Sequence, residues 1–317
     1  MHIAFDLFLL LLGLVLLVQS AKVFVGASVD IAKRLKIPRM VIGLTVVAMG
    51  TSAPEAVISV SAAIGGSGDL AIANVVGSNI FNLLFIVGFC ALLYPISVQM
   101  RAIARDYWAS VGATVLLFAM VLLWGDTIPR FGGALLLLCF ATYMFIVVRH
   151  ALKHRGEDEG STQDDTPPKS LARSIPFAIL GAVLIVAGGH LTVFAAVNLA
   201  LDLGVTERVI GLTIVAMGTS LPELVTTLIA CRKREGEFAL GFIIGSSIFN
   251  LLFVLGLAGL ITPLAIDPSV RFDLMALTAG ALMFFLFAHS SRRVVRMEGL
   301  VMVLMYVAYM TAVIFLI

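Results

Sequence analysis

Two parts of this 317-residue chain carry nearly the same sequence. Residues 41–55 read VIGLTVVAMGTSAPE and residues 209–223 read VIGLTIVAMGTSLPE, identical at thirteen of fifteen positions. Residues 77–88, GSNIFNLLFIVG, and 245–256, GSSIFNLLFVLG, agree at nine of twelve. Both matches fall at a single offset of 168 residues, with Gly, Thr, Ser, Pro, Glu and Asn in register. Apolar stretches resemble one another by chance, but chance does not align their polar residues. The chain is therefore a duplication, and its fold must use one unit twice.

The solvent for that unit follows from composition. Hydrophobic residues make up 61% of the chain, charged residues only 13%, and the mean hydropathy is +1.09. Soluble domains run near half apolar and a quarter charged. Such a chain reads as an integral membrane protein, and the disordered, collagenous and disulfide-framework classes are excluded. A net charge of +2 leaves no basic surface for nucleic acid. Cys90, Cys139 and Cys231 imply neither a disulfide nor a metal framework.

A bilayer core takes about 20 apolar residues per helix. Ten segments fit, at approximately 5–30, 39–65, 70–93, 106–124, 128–149, 174–201, 207–231, 237–261, 272–289 and 297–317. Their long uncharged runs exclude a β-barrel, whose strands would alternate. The first segment lacks a basic flank and reads as a retained helix, not a signal peptide. The expected organisation is a five-helix repeat over 1–150, a polar cytoplasmic linker over 151–173, and a second five-helix repeat over 174–317. Connections after helices 1, 3, 5, 7 and 9 hold seventeen Lys and Arg, and the opposite side holds only Arg130, Arg208 and Arg271. That bias places both termini away from the cytoplasm. Five spans per unit turn the second copy over, which predicts an inverted repeat with its site near the midplane.

Glu55 and Glu223 are the only acidic residues expected deep in the spans. A carboxylate there costs at least about 2.5 kcal/mol and marks a functional site by default. Pro54 and Pro222 precede them, and each lacks the N–H that the carbonyl four residues back would need. Helices broken in this way persist in a membrane where they line a cavity, and the freed carbonyls can coordinate a cation. Ser78 and Asn82 share a helix face, as do Ser246 and Asn250. Carboxylates, hydroxyls, amides and carbonyls, without His or Cys, suit Ca²⁺ or Na⁺ rather than zinc or copper. No cofactor is expected.

These motifs resemble the α-repeats of the cation/Ca²⁺ exchanger superfamily, specifically prokaryotic Na⁺/Ca²⁺ exchangers, and the resemblance spans essentially the whole chain. It implies an all-α fold of ten transmembrane helices as two inverted repeats, with helices 2 and 7 broken. It further implies four cation sites at mid-membrane. Glu55 and Glu223 would be the Ca²⁺ carboxylates, completed by the carbonyls of Thr51 and Thr219. One Na⁺ site would use the Ala48 carbonyl, Thr51, Ser52 and Ser78; the other would use the Ala216 carbonyl, Thr219, Ser220 and Ser246. Asn82 and Asn250 would lie at the centre, and helices 1 and 6 would slide across the core. Asn250 stands where K⁺-dependent members carry Asp, which argues against a K⁺ requirement. Ser247 stands opposite Asn79 in the repeat, a difference expected to matter little.

The expected activity is Na⁺/Ca²⁺ antiport in a prokaryotic cytoplasmic membrane, with the two ions as substrates and the bilayer as partner. An H⁺-coupled antiporter of the same fold is the alternative, and a passive cation channel is a reading of another class. The sequence Gly66-Ser67-Gly68-Asp69 resembles the GxGD of intramembrane proteases, but it falls in a short connection without a second deep aspartate. Lys22 and His190 occupy matching repeat positions and are read as structural.

Overall fold

The computed structural model describes residues 2–98, 100–153, 169–203 and 216–316. Helix α1 (His2–Leu35) is followed by α2 (Arg39–Thr51) and α3 (Ala53–Ile64), which form one span bent by 50° at Ser52. Then come α4 (Gly68–Leu93), α5 (Met100–Trp124), α6 (Arg130–Lys153) and α7 (Leu171–Asp202). The short α8 (Ala216–Gly218) precedes α9 (Leu221–Arg232), α10 (Gly236–Ile261), α11 (Val270–Ser291) and α12 (Arg296–Leu316). Among the described residues, eight helices are long and apolar enough to cross a bilayer, and the bent pair makes a ninth span. The expected seventh span, 207–231, is described only from Ala216 onward. Most of the expected linker, at 154–168, likewise lies outside the described residues.

Four two-residue strands join the connections. β1 (Ile96–Ser97) pairs antiparallel with β4 (Arg293–Val294), and β2 (Thr127–Ile128) pairs with β3 (Leu264–Ala265). Flanking hydrogen bonds repeat the exchange: Val98 N donates to Arg292 O at 2.8 Å, and Ile266 N donates to Asp126 O at 2.9 Å. Contacts between connections sort by parity. Arg34 Nε reaches Lys169 O at 3.2 Å and Arg39 Nη1 reaches Glu235 Oε2 at 2.6 Å, joining the connections after spans 1, 5 and 7. On the other side, Arg130 Nη2 donates to Ile261 O at 3.2 Å, beside the β2–β3 bridge. Odd connections meet odd and even meet even, as spans that alternate across a bilayer require.

The core is built on α4 and α10. α10 is almost wholly buried, and its glycines let α2 approach backbone to backbone. A Cβ on Gly245 would sit 2.6 Å from the Cα of Leu44. Lipid offers no hydrophobic gain for packing helices, so close approach of small residues carries the contact. At the periphery, α1 and α7 lie side by side. A Cβ on Gly188 would fall 2.9 Å from Leu17 N. With 34 and 32 residues, these two helices run about 50 Å, well beyond a bilayer core of about 30 Å. Their outer faces expose Phe5, Phe8, Leu11, Ile179 and Val183 to lipid.

Replacing Gly245 by Leu would force α10 off α2. The expected outcome is a loss of about 1–3 kcal/mol or more, read as a lower unfolding temperature in detergent.

Candidate functional site

The residues that precede α3 and α9 share one backbone conformation. Ser52 (φ −82°, ψ 10°) and Ser220 (φ −91°, ψ 9°) occupy the same sparsely populated backbone region. Pro54 and Pro222 then start α3 and α9, where a missing N–H costs nothing. Each of these helices has 12 residues, about 18 Å. Their N-termini lie side by side, within hydrogen-bonding reach of each other. Glu55 and Glu223 sit in these first turns, where the helix dipole favours negative charge.

A serine before a helix ordinarily turns its hydroxyl onto its own helix's amides. Neither serine makes that cap here. Ser52 Oγ donates to Glu223 Oε1 at 3.0 Å, and Ser220 Oγ donates to Glu55 Oε1 at 3.0 Å. Each repeat therefore holds the other's carboxylate. Ser52 Oγ also lies 2.7 Å from Ser246 Oγ. The asparagines exchange partners in the same way: Asn82 Nδ2 reaches Ser246 Oγ, and Asn250 Nδ2 reaches Ser78 Oγ, both at 3.4 Å. Asn82 and Asn250 stand in π-helical turns, Phe81–Ile86 and Phe249–Val254, at the middle of α4 and α10. Such widened turns recur at functional sites.

Of the expected residues, Glu55, Glu223, Thr51, Ser52, Ser220, Ser78, Ser246, Asn82 and Asn250 are all buried, as is Ala48. Thr219 is half-buried beside Ser220. Ala216 is described only as the first residue of α8. Thr51 Oγ1 donates back to Val47 O at 3.2 Å, which leaves its oxygen as an acceptor. The Ala48 carbonyl accepts Ser52 N at 3.1 Å and the Thr51 hydroxyl at 3.4 Å.

Five buried oxygens of this cluster have no hydrogen-bond partner: Oε2 of Glu55, Oε2 of Glu223, Oδ1 of Asn82, Oδ1 of Asn250 and Oγ1 of Thr219. The first four form two repeat-related pairs. An unsatisfied buried polar atom costs about 1–3 kcal/mol, more when charged. A buried cluster with two carboxylates, and no cationic side chain paired with them among the described residues, is matched by a hard cation. No group of three or more His, Cys, Asp or Glu occurs among the described residues, so the donors beyond the two carboxylates are neutral oxygens. A cavity of about 100 Å³ leads toward Thr219, lined by Pro54, Pro222, Gly218, Gly189 and His190. His190 thus faces this cavity, whereas Lys22 bonds Gln19 Oε1 at 3.3 Å on α1.

The inventory of buried acids needs one correction. Asp106, at the start of α5, is fully buried. It is paired with Arg105 at 2.9 Å and accepts Tyr143 Oη at 3.1 Å. Asp273 accepts Tyr309 Oη at 2.9 Å in the other half. The two Asp–Tyr pairs tie α5 to α6 and α11 to α12. They are repeat-related at offsets of 167 and 166, so a search at 168 passes over them. A repeat comparison allowing single-residue gaps would have found them. Two further residues hold the glutamate backbones: Asn74 Nδ2 donates to Glu55 O at 3.4 Å and Thr227 Oγ1 to Glu223 O at 2.8 Å.

Known proteins match this chain along most of its length. The family model for the sodium/calcium exchanger protein matches residues 5–149 and 173–315. CaxA of Alkalimonas amylolytica is 39% identical over 94% of this chain and 95% of its own length. Sodium/calcium exchanger MaX1 of Methanosarcina acetivorans is 33% identical over 97% of this chain and 98% of its own. The solved structure of the sodium-calcium exchanger NCX_Mj, soaked with Na⁺ and Ca²⁺, superposes with a TM-score of 0.84 at 28% identity, covering 99% of both chains.

Because the serine contacts are reciprocal, Ser52→Ala and Ser220→Ala should weaken divalent-cation binding to a similar degree. Each removes one hydrogen bond to a carboxylate, about 1.5–3 kcal/mol. Isothermal titration of the purified variants checks this.

Proposed function

The chain belongs to the sodium/calcium exchanger family, a family of membrane cation exchangers rather than enzymes, and on that premise we propose that it exchanges Na⁺ for Ca²⁺ by alternating access. The observation that carries the proposal is the reciprocal hold on two buried carboxylates, Ser52 on Glu223 and Ser220 on Glu55. Two carboxylates neutralise one Ca²⁺, and the same pair attracts more than one Na⁺. A site that takes either cargo, but not both fully, couples their movements.

Each exchanged contact relates residue i of one repeat to residue j of the other and then reverses the roles. This is the pattern of a two-fold axis. With the odd–even sorting of the connections, it supports ten spans arranged as two inverted repeats, 1–150 and 174–317, joined by the linker at 151–173. Glu55 and Glu223 would ligate Ca²⁺ with the Thr51 and Thr219 carbonyls. The flanking Na⁺ sites would draw on Ala48, Thr51, Ser52 and Ser78, and on Ala216, Thr219, Ser220 and Ser246. Asn82 and Asn250 would line the centre. α1 and α7, long and lipid-exposed, are the elements suited to slide past the core. The cavity at His190 then lies on the route of the ions.

Na⁺ is favoured over H⁺ as the driving ion by the relatives, since MaX1 bears sodium and calcium in its name. The basic connections support a cytoplasmic membrane with both termini outside, and the relative YrbG of Escherichia coli is an inner membrane protein.

The test is Ca²⁺ uptake into proteoliposomes loaded with Na⁺ or with choline at fixed pH. Uptake should require internal Na⁺ and fall to background in Glu55→Gln and in Glu223→Gln. Uptake driven by a pH gradient alone, indifferent to Na⁺, would replace Na⁺ by H⁺ in this account.

A further inference from the structure

A second polar cavity lies far from the carboxylates, at the end of the molecule where β1 meets β4. Its volume is about 570 Å³. Three arginines line it: Arg232 at the end of α9, Arg234 in the turn that follows, and Arg296 at the start of α12. Arg232 and Arg296 are 64 residues apart in sequence and belong to different connections. Their convergence is therefore a product of the fold, not of a basic run. Arg234 is held at φ 61°, a left-handed conformation uncommon for a residue with a side chain.

None of the three arginines forms an ion pair among the described residues, and no acidic side chain lines the cavity. Three acids flank the cavity without lining it: Glu235 pairs with Arg39, Glu298 Oε2 accepts Val295 N at 2.8 Å, and Glu237 follows Gly236 in the first turn of α10. Two helices begin at the cavity, α10 at Gly236 and α12 at Arg296, and two end there, α4 at Leu93 and α9 at Arg232, so the helix ends offset one another and the charge is that of the arginines. The opposite wall is apolar, with Leu93 and Tyr94 at 41% and 38% exposure. The site offers a strong anion-binding side and an adjoining apolar side, at the depth where a bilayer meets water.

We propose that this cavity binds a phosphate-bearing anion through Arg232, Arg234 and Arg296. Guanidinium forks match phosphate oxygens two at a time, and three of them on one cavity exceed what a carboxylate needs. The apolar wall fits the glycerol and first methylenes of a phospholipid whose headgroup phosphate sits among the arginines. The inference stands apart from the identity of the transported ions.

The purified full-length protein, stripped of lipid in detergent, is titrated by native mass spectrometry with phosphatidylglycerol, phosphatidylcholine and glycerol 3-phosphate. One phosphatidylglycerol should bind in preference to phosphatidylcholine. Affinity should fall about fivefold for each of Arg232→Gln, Arg234→Gln and Arg296→Gln, the effect of one interfacial basic residue on an anionic lipid. Arg149→Gln, a basic residue away from the cavity, should leave binding unchanged. Glycerol 3-phosphate bound with the same arginine dependence would identify a free phosphate as the occupant. Equal binding of both lipids to the wild type, or undiminished anion binding in all three single variants with unchanged unfolding temperature, would overturn the proposal. So would failure of every probe to bind.

Discussion

The structure rests on keeping two carboxylates buried inside a membrane protein. A buried charge is costly, and it survives where protein replaces the lost water. Three features supply the replacement. The helix breaks at Ser52 and Ser220 put helix N-termini beneath both glutamates. The serines at the breaks donate across the repeat boundary, so neither half can satisfy its own acid. The remaining carboxylate and amide oxygens have no hydrogen-bond partner, which is why they are proposed as cation ligands. The first two features fix the site, and the third makes it receptive.

Reciprocity extends beyond the acids. The asparagine–serine contacts, the two short β-bridges and their flanking hydrogen bonds all pair one repeat with the other and then repeat with roles reversed. Two units bound in this way share one core, built on the glycine-mediated contact of α2 with α10. α1 and α7 touch each other through their own glycines and bury Phe24, Val25 and Ile185 in the same core.

Much of this was legible in the sequence because the repeat preserved polar residues in register. The GTS-x-PE motifs and the paired Ser and Asn pointed to the same cluster that the fold assembles. The span pattern was legible for the same reason, since each lipid-spanning helix is a long uncharged run. What stayed hidden depended on contacts between the halves. That Ser52 serves Glu223 and not its own helix cannot be read from one motif. The Asp106–Tyr143 and Asp273–Tyr309 pairs escaped because the repeat register drifts from 168 to 167 and then 166 beyond residue 98. The β-bridges, two residues each, leave no alternating pattern to detect.

The central claim is that one pair of carboxylates serves both cations. Equilibrium binding of radioactive Ca²⁺ to the purified protein, measured as Na⁺ is raised in place of choline, tests it directly. Na⁺ should displace all of the bound Ca²⁺, with a Hill coefficient above one because more than one Na⁺ replaces each Ca²⁺. Ca²⁺ that remains bound at saturating Na⁺ would contradict a shared site.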